Sequence, residues 1–194
     1  MVMKIAITGH KHGIGKAFAE QLSARGHEII GISRSDGENI RRITHTANLI
    51  EPADLFINNA QSNYAQTELL YEVWKRWAGW VPARKNKWIW NISTQMTQSP
   101  IDIKVGGQND VIMSQYRNQK LALEEASRQL QYTEAWPHIS IIRPGAVGTT
   151  ENYDPKKSSD VNVWVKSVIN AFTQHPNIHV SELSIGHTDQ GIQL

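Results

Sequence analysis

Cysteine is absent from the chain. That removes disulfides, thiolate metal sites and cysteine nucleophiles together, and it fits a reducing compartment, with the cytoplasm as the expected location. Long apolar runs are missing too; none approaches the ~18 residues a membrane-crossing helix needs, so no membrane partner is expected. The opening residues, MVMKIAITGH, hold no extended apolar core and no small-residue cleavage site, so no signal peptide is expected. Charge of one sign is scarce: 20 Lys and Arg stand against 18 Asp and Glu, a formal net charge of +2. That is too little to argue for a nucleic-acid partner, and it suits a small anionic ligand equally well. Hydrophobic residues make up 40% of 194, enough for a real core and too many for a disordered chain.

What the chain does have is alternation. Lys4 to Thr8, Glu28 to Ser33, Ala53 to Ile57, Lys87 to Ile92, Ile139 to Arg143 and His179 to Ile185 read as strands. Helical spacing covers Ile14 to Arg25, with Gly26 as its stop, then Leu69 to Trp80, Ser114 to Gln131 and Val161 to Thr173. Strands alternating with helices predict parallel βαβ units, and hence an α/β fold with helices on both faces of one sheet. No linker, repeat or low-complexity segment interrupts it, so residues 1–194 read as a single domain.

The stretch TGHKHGIGKA, Thr8 to Ala17, sits between the first strand and the first helix. Glycine in such a turn lets the backbone approach a phosphate, and the free N–H groups at the helix start attract the anion. Gly9, Gly13 and Gly15 suit these tasks. His10 and His12 have no neighbouring His, Asp or Glu to complete a metal site, and no metal is expected. The other histidines, at 27, 45, 138, 175, 179 and 187, show no metal spacing and read as surface or loop residues.

The order T-G-x-x-x-G-I-G, NNA, Y-x-x-x-K and P-G-x-x-x-T resembles the short-chain dehydrogenase/reductase family over nearly the whole chain. The resemblance implies a Rossmann-type three-layer sandwich, its sheet in the order 3-2-1-4-5-6-7, and a nicotinamide cofactor. By it, Gly9, His10, Lys11, His12, Gly13, Ile14 and Gly15 form the pyrophosphate turn. Asn59 and Ala60 lie against the adenosine, and Asn48-Leu49 flank the adenine. Pro144, Gly145, Val147 and Thr149 hold the nicotinamide end. NAD-using members carry an aspartate where this chain has Ser33, followed by Arg34. An arginine there grips a 2′-phosphate, and Lys11 and His12 add positive charge, so NADP(H) is favoured over NAD(H).

The family's chemistry assigns Tyr116 as general acid and base, Lys120 as the charge that lowers the tyrosine and holds the nicotinamide ribose, and Thr94 as the hydroxyl that fixes a carbonyl oxygen. Ser93 is the alternative to Thr94. The implied reaction exchanges hydride between NADP(H) and a small carbonyl or alcohol. Three departures stand out. Gln61 replaces a glycine after NNA. Tyr116 stands 22 positions after Thr94, so SPIDIKVGGQND is expected to loop out beside the site. Gln66 falls near the place of the family's catalytic asparagine. Only 24 positions separate Arg34 from Asn58, which predicts a second helix reduced to about Glu38 to Ile43 and a third nearly absent. The Trp74, Trp77, Trp88 and Trp90 spacings read as core packing, with a homo-oligomer, dimer or tetramer, expected through the two long helices. An NADP-binding sensor or scaffold that has lost catalysis is the alternative. A nucleotide-sugar epimerase is disfavoured by the glycine spacing and the short C-terminal region.

Overall fold

The computed structural model describes residues 2–78, 87–102, 107–133, 136–149, 154–174 and 177–188. In chain order the elements are β1 (Lys4–Thr8), α1 (Gly13–Ala24), β2 (Glu28–Ile32), α2 (Ile43–Ile50), β3 (Leu55–Asn58), α3 (Ala65–Trp77), β4 (Trp88–Ile92), α4 (Gln108–Thr133), β5 (His138–Pro144), β6 (Val147–Gly148), β7 (Ser159–Asp160), α5 (Val161–Thr173) and β8 (Glu182–Ile185). Six strands form one sheet in the order β2-β1-β3-β4-β5-β8, every neighbouring pair parallel. Central strands are apolar on both faces, as two covering layers require; Ile5, Ala6 and Ile7 of β1 are all at most 1% exposed. One core lies under α2, α3 and α4, the other under α1 and α5. No helix among the described residues is long and apolar enough to cross a membrane.

The tryptophans belong mostly to these cores. Trp77, Trp90 and Trp164 are 2%, 6% and 1% exposed, and Trp90 stacks on Phe172 with ring centroids 4.4 Å apart. Trp80 lies outside the described residues.

Four expectations need correcting. The sheet has six strands among the described residues, not seven. Where an outermost strand would follow β2, the short Arg34-to-Asn58 interval makes a 3-10 turn at Arg34–Asp36 and then α2. The reduced helix is therefore at Ile43–Ile50, where Thr46, Ala47 and Ile50 face the core, and not at Glu38 to Ile43. The inserted stretch before Tyr116 is partly helical, because α4 begins at Gln108; residues 103–106 of it lie outside the described residues. Finally, His138 is not a loop residue: it opens β5, half-buried, while His179 lies as expected in a loop, before β8. They pack with Trp88 and Trp136 at the start of β5, the two histidine rings 4.8 Å apart and His138 4.4 Å from Trp88. His175 lies outside the described residues.

This aromatic cluster predicts an acid-sensitive fold. Burial, aided by the facing His179, pushes His138 down to about 4, and burial lowers His179 as well. The unfolded chain binds those protons near 6.5. Between the two values the unfolded state is the more protonated, so stability present at pH 7 is lost as pH falls through 6.5 toward 4. Urea-unfolding midpoints should drop between pH 7 and pH 5, and His138→Phe should flatten that drop. Equal pH dependence in the two proteins would contradict the assignment.

Candidate active site

The chain leaves β1, runs outward to β2, and returns to the other side of β1 as β3. The crevice at the C-terminal ends of β1 and β3 is thus the switch point, where α/β sheets take their ligands. The glycine turn fills one side of it. Gly9 has φ +73 and Gly13 φ +53, both left-handed. Gly15 has no room for a side chain: a Cβ there would lie 2.3 Å from the Gly9 carbonyl oxygen and 2.7 Å from Asn59 Nδ2. His12 enters α1 extended and offers no side-chain cap, which leaves the first-turn N–H groups directed at an incoming anion. A Cβ on Gly13 would sit 3.3 Å from Thr149 Cβ, so the P-G-x-x-x-T stretch closes on the glycine turn from the far side.

Asn59 is spent on the framework. Its backbone N–H donates to Thr8 Oγ1 and its Nδ2 to the Thr8 carbonyl, both at 2.9 Å, fastening β3 to β1. His10 folds back over Gly31, where a Cβ would be 2.4 Å from its Nε2, and reaches to 3.5 Å from Asp36. Lys11 lies 3.3 Å from the same carboxylate. Both therefore brace the turn against the Arg34–Asp36 segment, and Lys11 is already paired rather than free for a phosphate.

Beside the turn lies a cleft of about 250 Å³, lined among others by Gly9, His12, Ser33, Arg34, Asn39, Ile40 and Ala60. Asn48 and Leu49 are not there. Asn48 stands exposed on α2 and accepts a 2.6 Å bond from Arg76 Nη1, while Leu49 packs on the core. The shortened chain turns Asn39-Ile40 into the cleft instead. This polar–apolar pair was visible in the sequence, close behind β2.

At the ends of β4 and β5 the other site residues converge. Thr94 is 8% exposed and follows β4 in extended conformation, where its Oγ1 accepts from Met96 N at 3.3 Å. The Thr94 side chain acts on the Tyr116 hydroxyl as a hydrogen-bonding partner that favours its ionised form. Tyr116 and Lys120 sit one turn apart on α4, with Lys120 Nζ 5.6 Å from the centre of the Tyr116 ring. Ser93 turns the other way and donates to Glu124 Oε1 at 2.5 Å. Pro144 and Gly145 end β5, and Val147–Gly148 pairs with Ser159–Asp160 beyond it.

Lys120 is only 2% exposed. Its ammonium donates to Gln66 Oε1 and to the Ile92 carbonyl, both at 2.8 Å. Gln66 is held in turn, its Nε2 donating to the Asn58 carbonyl at 2.6 Å. Burial pushes Lys120 down to about 7, against the opposing pull of Glu124. Burial also raises Tyr116 above its ordinary value, with the Thr94 hydrogen bond acting the other way. Both groups are dehydrated, and the Lys120 ammonium is bonded to Gln66 and Ile92. No group of three or more His, Cys, Asp or Glu fit for a metal occurs among the described residues.

No protein-family model matches the chain, and no curated protein sequence does. Solved structures do. A short-chain dehydrogenase from Streptomyces avermitilis superposes with a TM-score of 0.73 at 17% identity, over 96% of this chain and 89% of that one. The fold is that of a short-chain dehydrogenase. A short-chain dehydrogenase from Burkholderia cenocepacia, in complex with NADP, gives 0.71 at 17% identity over 95% and 88%. The 3-alpha-hydroxysteroid dehydrogenase from Pseudomonas sp., complexed with NADH, gives 0.64 at 18% over 94% and 95%. The chain thus spans 88 to 95% of the length of these three dehydrogenases.

Proposed function

We propose that the protein is a short-chain dehydrogenase/reductase that interconverts a small carbonyl compound and its alcohol with NADP(H). The observation that carries this reading is the convergence of buried Thr94, at the end of β4, with Tyr116 and buried Lys120, whose Nζ lies 5.6 Å from the Tyr116 ring, next to the glycine turn. The turn fits a dinucleotide: side chains are excluded at Gly15, and the α1 N-terminus faces the crevice. Gly9, Gly13, Ile14 and Gly15 would take the pyrophosphate, Asn39, Ile40 and Ala60 the adenosine, and Pro144, Gly145, Val147 and Thr149 the nicotinamide end. A reduced nicotinamide held there supplies the hydride.

This chain's residues handle the oxygen. Thr94 donates a hydrogen bond to the carbonyl oxygen, and Tyr116 gives it the proton. Lys120, at about 7, is near half-protonated at neutrality and is the adjacent proton store from which Tyr116 recovers. The protein should oxidise NADPH in the presence of ketones and aldehydes. Tight NADPH binding without turnover on any carbonyl would instead favour a nucleotide-binding sensor. The inward bonds of Lys120 to Gln66 and Ile92 are what keep that second reading alive.

The cofactor preference rests on Arg34, which lines the cleft with Ser33 where a carboxylate would repel a 2′-phosphate. A two-pronged arginine–phosphate contact predicts that Arg34→Ala weakens NADPH binding by about 10- to 100-fold. NADH affinity should barely move. Fluorescence titration with each cofactor measures both, and equal losses would remove the preference. A homo-oligomer through α3 and α4 fits the exposure of Tyr71, Val111, Ile112 and Met113, and sedimentation at micromolar concentration checks it. The lack of cysteine fits a cytoplasmic location.

A further inference from the structure

We propose that Glu124 is a positioning residue, a carboxylate clamp that sets Thr94 against Tyr116. It lies on α4 one turn past Lys120 and two turns past Tyr116, and it is 2% exposed. Its Oε1 accepts from Ser93 Oγ at 2.5 Å, from Thr97 Oγ1 at 2.8 Å and from Arg143 Nε at 2.9 Å. Its Oε2 accepts from Arg143 Nη2 at 2.7 Å and from Arg128 Nη2 at 3.2 Å. Ser93 and Thr97 bracket Thr94, so one carboxylate grips the turn that carries Thr94 from both sides. The same carboxylate belongs to the helix that carries Tyr116. Arg143 fixes the third member, β5, and reaches on to Glu182 of β8 at 2.7 Å.

The chemistry requires an ionised group. Burial alone would raise the Glu124 carboxyl, but the bonds from Arg143, Ser93 and Thr97 outweigh it and hold the group below the usual range. A neutral amide of the same shape must turn an NH2 toward one of these donors, leaving buried donors facing each other. The turn holding Thr94 is the part free to yield, because Arg143 stays anchored in the sheet.

The consequence for turnover rests on the reduction chemistry proposed above; the clamp itself does not. The test therefore reads Tyr116 directly, without cofactor or substrate. Protein grown with 3-fluorotyrosine gives a fluorine NMR titration, and Tyr116→Phe identifies the resonance. The Thr94 hydrogen bond lowers Tyr116, so loosening the turn should raise its titration midpoint. We expect Glu124→Gln, and the double variant Ser93→Ala/Thr97→Val that keeps the Arg143 pair, to shift it up by about half a unit or more. Neither should shift it further in a Thr94→Val background, which a merely structural role would not explain. An unchanged midpoint in the folded double variant overturns the clamp. Where turnover is measured, the double variant should lose about 10-fold in kcat with NADPH affinity unchanged.

Discussion

Tyr116→Phe is expected to lower kcat/KM for carbonyl reduction by about 10²- to 10⁴-fold, the usual worth of a positioned general acid. The substitution removes one oxygen and leaves the ring, so packing along α4 and the Lys120 contact to that ring should persist. NADPH affinity should change little, because the hydroxyl faces Thr94 rather than the glycine turn. The pH profile offers a second reading of the same site. With Lys120 at about 7, the rate of reduction should fall as pH rises through that value, since the deprotonated lysine no longer refills the tyrosine. In Tyr116→Phe any residual rate should lose this dependence. Steady-state kinetics across pH 6 to 9, with NADPH titrations at each end, separate proton delivery from cofactor binding. An unchanged kcat/KM in the folded variant would remove Tyr116 from the chemistry.

The second large effect belongs to Gly15→Ala. The new methyl would stand 2.3 Å from the Gly9 carbonyl oxygen and 2.7 Å from Asn59 Nδ2. Neither neighbour yields easily. The Gly9 contact is backbone, and Asn59 is held by two bonds to Thr8. The turn must open, at a cost of about 1–3 kcal/mol for overpacking of this kind. The N–H groups that would cradle the pyrophosphate move with it. We expect a lower unfolding midpoint and NADPH affinity reduced at least about 10-fold, the loss of one or two charge-assisted hydrogen bonds. Calorimetry and NADPH fluorescence test the two losses separately. Wild-type affinity in Gly15→Ala would mean that the cofactor does not lie on this turn.

Much of the fold was legible because its signals are local. Each of the six sheet strands shows up as a short apolar run, and α5 falls at Val161–Thr173 as its spacing predicts. Gly26, at φ +84, closes α1 as expected of a glycine stop. The missing outer strand was foreshadowed by the short interval after Arg34, but where the remaining residues would go was not. Ile43 to Ile50 became helix because Thr46, Ala47 and Ile50 could face the core, and that is a tertiary decision. The site divides the same way. Tyr116 and Lys120 share a helix face by spacing alone. The turn of Ser93 toward Glu124, 31 residues away in the chain, is announced by no local pattern. The inward turn of Lys120 toward Gln66, 54 residues away, was equally hidden.

The most direct measurement is a crystal structure of the NADPH complex. The pyrophosphate should rest on Gly9 to Gly15, with Arg34 against the 2′-phosphate. The nicotinamide should face the hydroxyls of Thr94 and Tyr116. NADPH bound elsewhere, or a nicotinamide pointing away from Thr94 and Tyr116, would contradict the account.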